Sequence, residues 1–212
     1  MSDRVLITWD LDGVLLDSKL QVVKSWSETC RAMSLWPDVD ISKRIGIPLE
    51  ETLTRETSLD EQTIATFCRM FRENQGLNDA LEECFSGARE LLEFLSQSSK
   101  VAMGFYSARP AARLGLALKK LGQPQARCYS AVHPNHPKPD PRGLLALEES
   151  FGEPFSTRLH IGDTQADYTA AVGARFAFIG AAWGYGDPLE LGNVVSASMS
   201  DLHNRLSEFI NA

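Results

Sequence analysis

Five short apolar runs, separated by stretches of helical periodicity, dominate the hydrophobic pattern of the chain. The runs cover residues 5–9, 101–106, 128–132, 158–161 and 175–179. Their nearly continuous apolar character is typical of strands that are buried on both faces of a sheet. Leucines recur at helical spacing over residues 87–97, 110–121 and 140–151. Strands that alternate with helices predict an α/β fold with a parallel sheet covered on both faces.

Residues 18–84 differ from the rest of the chain because they contain no convincing strand run. Apolar side chains such as Trp26 and Phe67 instead recur at helical spacing. We therefore expect residues 18–84 to form a small α-helical unit. It is inserted into a sheet core made from residues 1–17 and 85–212, and the core as a whole is predicted to be Rossmann-like.

Net charge and hydropathy exclude several classes of function. The 212 residues include 21 Lys and Arg against 28 Asp and Glu, which gives a net charge of −7. An acidic chain without a basic run is a poor candidate for binding the phosphate backbone of nucleic acid. No run approaches the roughly 18 apolar residues of a membrane-spanning helix. Neither nucleic acid nor a membrane is an expected partner.

Cysteine usage and the N-terminal segment bear on the compartment. The four cysteines are scattered without a CxxC pair, and the first apolar stretch ends at Asp10, too early for a secretory signal. Both features favour a reducing, cytoplasmic location.

His133 and His136 are flanked by prolines, so no helical metal site is predicted there.

Polar side chains follow several strands at the point where each strand ends. In open α/β sheets, ligands bind beyond the carboxyl ends of the strands. We therefore expect these side chains to converge on one edge of the sheet. They are Asp10 and Asp12 after the first strand, Ser107 after the second, Lys138 in a loop after the weakest strand, and Asp163 and Asp167 after the fourth.

Four carboxylates at one edge would repel one another unless a cation lay between them. Oxygen ligands without Cys or His favour Mg²⁺, and the spaced acids of an EF-hand calcium loop are missing. Even with Mg²⁺ and Lys138, these carboxylates leave one negative charge before any phosphate arrives. Protonation of Asp12 removes that charge, and a protonated carboxyl is the state expected of a general acid.

Four segments, in order, resemble the motifs of the haloacid dehalogenase (HAD) superfamily in its phosphoglycolate phosphatase-like branch. They read DLDGVLLDS from Asp10, Ser107, KPDP from Lys138, and GDTQAD from Gly162. The resemblance spans nearly the whole chain. It implies a Rossmann-like core with a helical cap inserted after the first motif, which agrees with the pattern over residues 18–84.

The resemblance also implies roles for individual residues. Asp10 resembles the nucleophile that attacks phosphorus, and Asp12 resembles the acid/base that protonates the leaving alcohol and then activates water. Ser107 resembles the hydroxyl that binds a phosphoryl oxygen, and the backbone N–H of Ala108 accompanies it. Lys138 resembles the cation that neutralises charge on the nucleophile and the phosphoryl group.

The remaining expectations concern the metal and the cap. The family pattern implies that Asp163 binds Mg²⁺ together with the Asp10 carboxylate and the Asp12 backbone carbonyl. Asp167 is expected to support the site through water or the lysine. Arg44 and Gly46 lie in a segment that resembles the cap loop reaching the substrate, with a simple helix-ending loop as the alternative.

Four further residues receive structural expectations. Asp17 resembles the acid at the hinge between core and cap. Arg109 is interpreted as a surface arginine, with a contact to a substrate carboxylate as the less favoured reading. Trp183 and Tyr185, near the end of the chain, are expected to pack on the core.

The function implied by the resemblance is Mg²⁺-dependent hydrolysis of a small phosphorylated metabolite through an aspartyl-phosphate. A phosphomutase of the β-phosphoglucomutase type is an alternative because Ser107-Ala108 resembles its second motif, but Leu49 and Gly162 stand where that mutase tends to carry Arg and Glu. Pyrophosphatase activity and a non-catalytic binding module also stay open.

Ala108 replaces an Asn that is common in the family, and we expect this difference to tune the choice of substrate. The substrate, and whether the chain is a monomer or a homodimer, are left open.

Overall fold

The computed structural model describes residues 4–132 and 135–211. Its strands are β1 (Val5–Trp9), β2 (Leu16–Asp17), β3 (Glu83–Cys84), β4 (Val101–Ser107), β5 (Arg127–Ser130), β6 (Thr157–Gly162), β7 (Ala177–Ala181) and β8 (Val195–Ser196). Its α-helices are α1 (Lys19–Met33), α2 (Leu49–Glu56), α3 (Glu61–Leu77), α4 (Ala88–Ser96), α5 (Ala111–Lys120), α6 (Arg142–Glu149), α7 (Gln165–Gly173) and α8 (Met199–Asn211). Short 3₁₀ helices cover Ile41–Lys43, Asp79–Leu81 and Pro188–Glu190.

Six strands form one parallel sheet in the order β5-β4-β1-β6-β7-β8. Strand β1 lies at the centre, with Ile7 opposite Met103 of β4 and Leu159 of β6. Its side chains are buried on both faces, which explains the unbroken apolar run in the sequence. The predicted α/β fold with a Rossmann-like parallel sheet is confirmed.

The two faces of the sheet contact different helices. Ile7 and Trp9 belong to a cluster that includes leucines of α4, α5 and α8, whereas Leu6 packs with leucines and alanines of α6 and α7. This division follows from the alternation of side chains along a strand. The helices therefore hold the strand ends in place from both sides, and that edge of the sheet stays available for polar groups.

Helices α1, α2 and α3 pack on one another around a third apolar cluster, in which the rings of Trp26 and Phe67 lie 4.9 Å apart. Between residues 18 and 82, all of which the structure describes, there is no strand. The antiparallel pair β2–β3 joins this helical segment to the sheet, with Asp17 opposite Glu83. The boundaries at residues 17–18 and 84–85 stay a prediction, and β2–β3 is where we propose that the cap hinges.

No helix in the described part of the chain is long and apolar enough to cross a membrane.

Two predicted strand boundaries are wrong by two residues. The run at 175–179 becomes a strand only at Ala177, because Arg175 has a φ of 61° and the Phe176 N–H donates to the Ala171 carbonyl, which closes α7. The weakest strand ends at Ser130, not at residue 132, and the next residue, Ala131, donates its N–H to Ser107.

Candidate active site

Three carboxylates and one lysine meet at the carboxyl edge of the sheet. Asp10 follows β1 and donates its backbone N–H to Ile161 of β6 at 2.9 Å. The Lys138 Nζ lies 2.7 Å from Asp10 Oδ1 and 2.6 Å from Asp167 Oδ1. Asp163, directly after β6, is fully buried beside them. The structure thus brings together residues that are far apart in sequence, as expected from their positions after parallel strands.

The carboxylate oxygens of this cluster fit a cation. Ligand atoms of Asp10, Asp163 and Asp167 all lie within 4.8 Å of one another. Asp10 Oδ2 and Asp163 Oδ1 are buried and have no hydrogen-bond partner, which is costly for a polar atom. Asp167 is different because His160 and Thr164 donate to its two oxygens and the Lys138 ammonium forms an ion pair with Oδ1. Asp10 and Asp163 are therefore the side chains with unsatisfied ligand atoms.

Asp10, Asp163, Asp167 and Lys138 form what we call the acidic cluster. Burial and mutual repulsion set the pKa values of its carboxyl groups. Burial raises the pKa of Asp10 to about 7 against the opposing charge of Lys138, and burial together with Asp10 raises the pKa of Asp163 well above its ordinary value. Burial also acts to raise the pKa of Asp167, but Lys138 and His160 outweigh it and bring that pKa below its ordinary value. Asp167 and Lys138 thus form the firm ion pair, while Asp10 and Asp163 favour a cation.

Glycines surround Asp163 so closely that no side chain fits. A Cβ at Gly13, whose φ is +84°, would collide with the Asp163 carboxylate, and a Cβ at Gly184 or Gly186 would also collide with Asp163. Between these two glycines, the backbone N–H of Tyr185 donates to Asp163 Oδ2 at 2.7 Å. Gly184 and Gly186 therefore form a wall of the site, although neither belongs to a motif named above.

Ser107 ends β4 and is fully buried. Its Oγ accepts the backbone N–H of Arg109 at 3.2 Å. Ala108 lines the space in front of the acidic cluster together with Lys138. The alanine and the lysine border one cleft of about 1290 Å³ between helices α2 and α3 and the sheet edge, and Ser107 directly precedes the alanine.

Asp12 lies in a second cluster of charges. Arg109 donates from Nε to Asp12 Oδ2 at 2.8 Å and from Nη2 to Oδ1 at 2.5 Å, and the Ser18 hydroxyl also donates to Oδ1 at 2.5 Å. Arg109 Nη2 bonds the buried carboxylate of Glu82 as well. The interpretation of Arg109 as a surface arginine is wrong: it is buried because two carboxylates, far away in sequence, compensate its charge.

This pairing contradicts the expected protonation of Asp12. Burial acts to raise the pKa of Asp12, but the charge and hydrogen bonds of Arg109, with the Ser18 hydroxyl, outweigh it and lower that pKa below its ordinary value. Asp12 is therefore a carboxylate in this structure. Within the acidic cluster, the raised pKa values of Asp10 and Asp163 favour a proton there instead.

His160 supports the acidic cluster from within the sheet, and sequence analysis did not single it out. Its Nε2 lies 3.3 Å from Asp167 Oδ1, and its Nδ1 lies 3.0 Å from Thr8 Oγ1. Burial lowers the pKa of His160, so the ring is neutral. A neutral ring that donates Nε2–H to the carboxylate leaves Nδ1 to accept the Thr8 hydroxyl proton. The only available signal was a polar residue inside an apolar strand.

Arg44 and Gly46 of the cap loop lie near Asp12 in the structure. Both line a small cavity of about 100 Å³ beside Asp12 and Ala108. Gly46 has a φ of +91°, and a Cβ there would lie 3.5 Å from the Thr164 methyl group of the core. The Arg44 guanidinium pairs with Glu56 at 2.5 Å. Their roles toward a substrate stay a prediction.

The aromatic residues of the tail divide between the two apolar units. Trp183 packs against the core and donates its Nε1–H to the Val14 carbonyl at 3.1 Å, as expected. Tyr185 instead packs against the cap cluster, because its hydroxyl is directed to the end of β2: the hydroxyl donates to Asp17 Oδ1 at 2.9 Å and accepts the Ser18 N–H at 2.8 Å. Of the two histidines considered above, His133 lies outside the described residues.

Known proteins resemble the chain over nearly its full length. The family model of haloacid dehalogenase-like hydrolases matches residues 7–181. A protein described as a probable phosphatase, IndB, from Dickeya dadantii is 32% identical, covering 85% of this chain and 82% of that protein. A phosphoglycolate phosphatase from Agrobacterium fabrum is 27% identical over 86% of this chain and 82% of its own.

A solved structure shares the arrangement of the elements. The crystal structure of a hydrolase from Pseudomonas syringae superimposes with a TM-score of 0.81 at 25% identity, covering 97% of this chain and 99% of that one. The sheet order, the inserted helices and the family match agree with one another. The chain belongs to the haloacid dehalogenase-like hydrolases, and within them it is a phosphatase.

Proposed function

We propose that this phosphatase depends on Mg²⁺ and hydrolyses the phosphate monoester of a small metabolite through a phosphorylated Asp10. One observation carries the proposal. Asp10 is held at Oδ1 by Lys138, 2.7 Å away, while its Oδ2 is buried without a hydrogen-bond partner. A carboxylate that is fixed at one oxygen and unsatisfied at the other suits both a nucleophile and a metal ligand.

Asp10 and Asp163 would hold the Mg²⁺, and Asp167 would keep Lys138 in place. When bound, the ion supplies positive charge to the nucleophile and to the phosphoryl oxygens. Lys138 adds its own charge there, since its ammonium is buried beside Asp10. We assign the Ser107 hydroxyl and the Ala108 backbone N–H to the phosphoryl oxygens, because Ala108 borders the cleft that contains Lys138 and Ser107 precedes it at the end of β4.

The reaction runs in two displacements. Asp10 attacks phosphorus, the bond from phosphorus to the leaving oxygen breaks, and Asp12 gives that oxygen a proton. Water then attacks the phosphorus of the aspartyl-phosphate, passes a proton to the Asp12 carboxylate, and frees Asp10 and inorganic phosphate. Because Arg109 holds Asp12 ionised, the first displacement requires that this ion pair open and that Asp12 take up a proton.

The test measures release of inorganic phosphate by the full chain, with Mg²⁺ or with EDTA, from p-nitrophenyl phosphate, hydroxyacetone phosphate and glucose 1-phosphate. We expect activity only with Mg²⁺, and a loss of at least about 10³-fold in Asp10→Asn. Asp38→Asn removes an exposed acid of the cap and serves as the control. Isomerisation of glucose 1-phosphate without phosphate release would favour the mutase, and a wild type that is inert toward all three would refute the enzyme proposal.

A further inference from the structure

Tyr185 contacts both the acidic cluster and the first helix of the cap. Its backbone N–H donates to Asp163 Oδ2 at 2.7 Å, while Oδ1 of the same carboxylate is unsatisfied. Its ring packs with the apolar cluster of the cap, and its hydroxyl lies at the start of α1. The backbone and the side chain of this one residue therefore reach two parts of the molecule that are far apart in sequence.

The backbone around Tyr185 packs so closely on Asp163 that neither residue can shift alone. A Cβ at Gly184 would lie 2.2 Å from the Asp163 Cβ, and a Cβ at Gly186 would lie 2.0 Å from the Asp163 carbonyl oxygen. The Tyr185 ring in turn lies 3.0 Å from the position that a Cβ at Gly13 would occupy. Because such close packing transmits displacements, a movement of Asp163 is passed on to Tyr185.

The hydroxyl of Tyr185 replaces a side-chain cap at the start of α1. Ser18 is the N-cap residue, but its own hydroxyl donates to Asp12 and makes no cap bond. The Tyr185 hydroxyl instead accepts the N–H of Ser18 at 2.8 Å and that of Lys19 at 3.2 Å. It donates its proton to Asp17 Oδ1 at 2.9 Å, so its proton and both lone pairs are used. Because unpaired N–H groups at a helix start cost free energy, these bonds stabilise the attachment of α1 to the core.

We propose, resting on the Mg²⁺ site proposed above, that Tyr185 couples binding of the cation to attachment of the cap. A cation bound at Asp163 fixes the carboxylate, and the carboxylate holds the backbone of Tyr185. The hydroxyl then keeps its bonds at the start of α1 for a larger fraction of the time. By linkage, removal of the hydroxyl weakens cation binding by the factor by which the cation strengthens these bonds. Tyr185 is thus a positioning residue that acts on the cation through Asp163.

The first measurement is the Kd of MgCl₂ for the full chain without substrate, followed by ¹⁵N NMR at the amides of Asp163 and Gly184. Tyr185→Phe removes the hydroxyl and leaves the backbone bond to Asp163. We expect its Kd to be about threefold to tenfold higher than that of the wild type, which is the effect of an ordinary hydrogen bond. Tyr168→Phe, on α7, is the matched control and should bind Mg²⁺ as the wild type does.

The second measurement is hydrogen exchange of the Val22 amide, which donates to the Ser18 carbonyl in the first turn of α1. Saturating MgCl₂ should slow this exchange in the wild type by about the same threefold to tenfold, and should not slow it in Tyr185→Phe. The Ile64 amide donates to the Asp60 carbonyl in the first turn of α3. It should not respond in the same way, whereas a purely global stabilisation by Mg²⁺ would slow both amides alike.

The outcomes separate the coupling from the cation site itself. Equal Kd values for the wild type and Tyr185→Phe, or equal slowing at Val22 and Ile64, would overturn the coupling while the Mg²⁺-dependent phosphatase stands. No saturable shift in the wild type would refute the cation site and the coupling together. If Tyr185→Phe fails to fold, the comparison of Val22 with Ile64 in the wild type still decides, and Asp17→Ala, which removes the acceptor of the hydroxyl proton, should raise the Kd by a smaller factor.

Discussion

The protein contains two buried clusters of charged side chains that compensate their charge in different ways. The acidic cluster has three carboxylates and one ammonium group: Asp10, Asp163, Asp167 and Lys138. The paired cluster has two carboxylates and two cations: Asp12, Glu82, Arg109 and Lys120. The first cluster keeps an excess of negative charge and two unsatisfied oxygens, whereas each member of the second has an opposite charge within 3.2 Å.

The difference shows which cluster is prepared for a ligand and which one positions a residue. Buried carboxylate oxygens without partners cost free energy that a cation would recover, so the acidic cluster fits a cation. The paired cluster links Asp12 to both strands of the β2–β3 pair, through Ser18 after β2 and Glu82 before β3. Its charges are already satisfied, and its effect is to hold Asp12 in one orientation.

The largest effect on stability is expected from Lys138→Met. This change leaves Asp10 and Asp167 buried without their ammonium partner, and removing one member of a buried ion pair costs about 3–5 kcal/mol. Thermal unfolding at pH 8 without Mg²⁺ should show a Tm lower by about 6–20 °C. Lys119→Met is the exposed control. A fall of less than 2 °C would mean that water already compensates the acidic cluster.

The second prediction concerns Mg²⁺ and pH. Burial raises the pKa of Asp10 to about 7 and that of Asp163 well above its ordinary value. Because the folded pKa of Asp10 exceeds its unfolded value, its contribution to stability is present at low pH and is lost as the pH rises through 7. Mg²⁺ needs the ionised forms, so it should stabilise the protein most above pH 7.

Thermal unfolding with and without Mg²⁺ measures this dependence. At an Mg²⁺ concentration about 100 times the Kd, the Tm at pH 8 should rise by about 5–10 °C, and at pH 5 the same concentration should give a clearly smaller rise. Asp10→Asn should remove most of the effect, while Asp38→Asn should not change it. Equal Mg²⁺ effects at both pH values would contradict the charge excess inferred for the acidic cluster.

Much of the acidic cluster is predictable from the sequence because of a topological rule. Asp10 and Asp163 directly follow apolar runs, and the carboxyl ends of parallel strands meet at one edge. Lys138 lies in a loop after the weakest strand, so the same rule brings it to this edge, and its role came from the motif resemblance. The hydrophobic pattern along the chain also predicted the fold. It did not predict the strand boundaries at residues 130 and 177, because single hydrogen bonds and one positive φ set them.

The paired cluster was not predictable because its contacts are not local. Arg109 pairs with Asp12, 97 positions away, and with Glu82, 27 positions away. Taken alone, an arginine after a strand is most often exposed, and nothing in its neighbours shows that two carboxylates converge on it. The same holds for His160, whose contacts to Thr8 and Asp167 exist only once the strands are paired.

The smallest effect is expected from Glu82→Gln, which tests whether the paired cluster positions Asp12 without taking part in metal binding. Arg109 keeps Asp12 but loses its second carboxylate, which should cost about 1–3 kcal/mol of unfolding free energy and lower kcat severalfold. The rise in Tm with Mg²⁺ should remain at its wild-type size, since Glu82 is outside the group of acids that could hold a metal. Glu83→Gln, at the exposed neighbouring position in β3, is the matched control. A Mg²⁺ effect that shrinks in Glu82→Gln but not in Glu83→Gln would show that the two clusters act as one site, because the orientation of Asp12 would then help to decide how the cation binds.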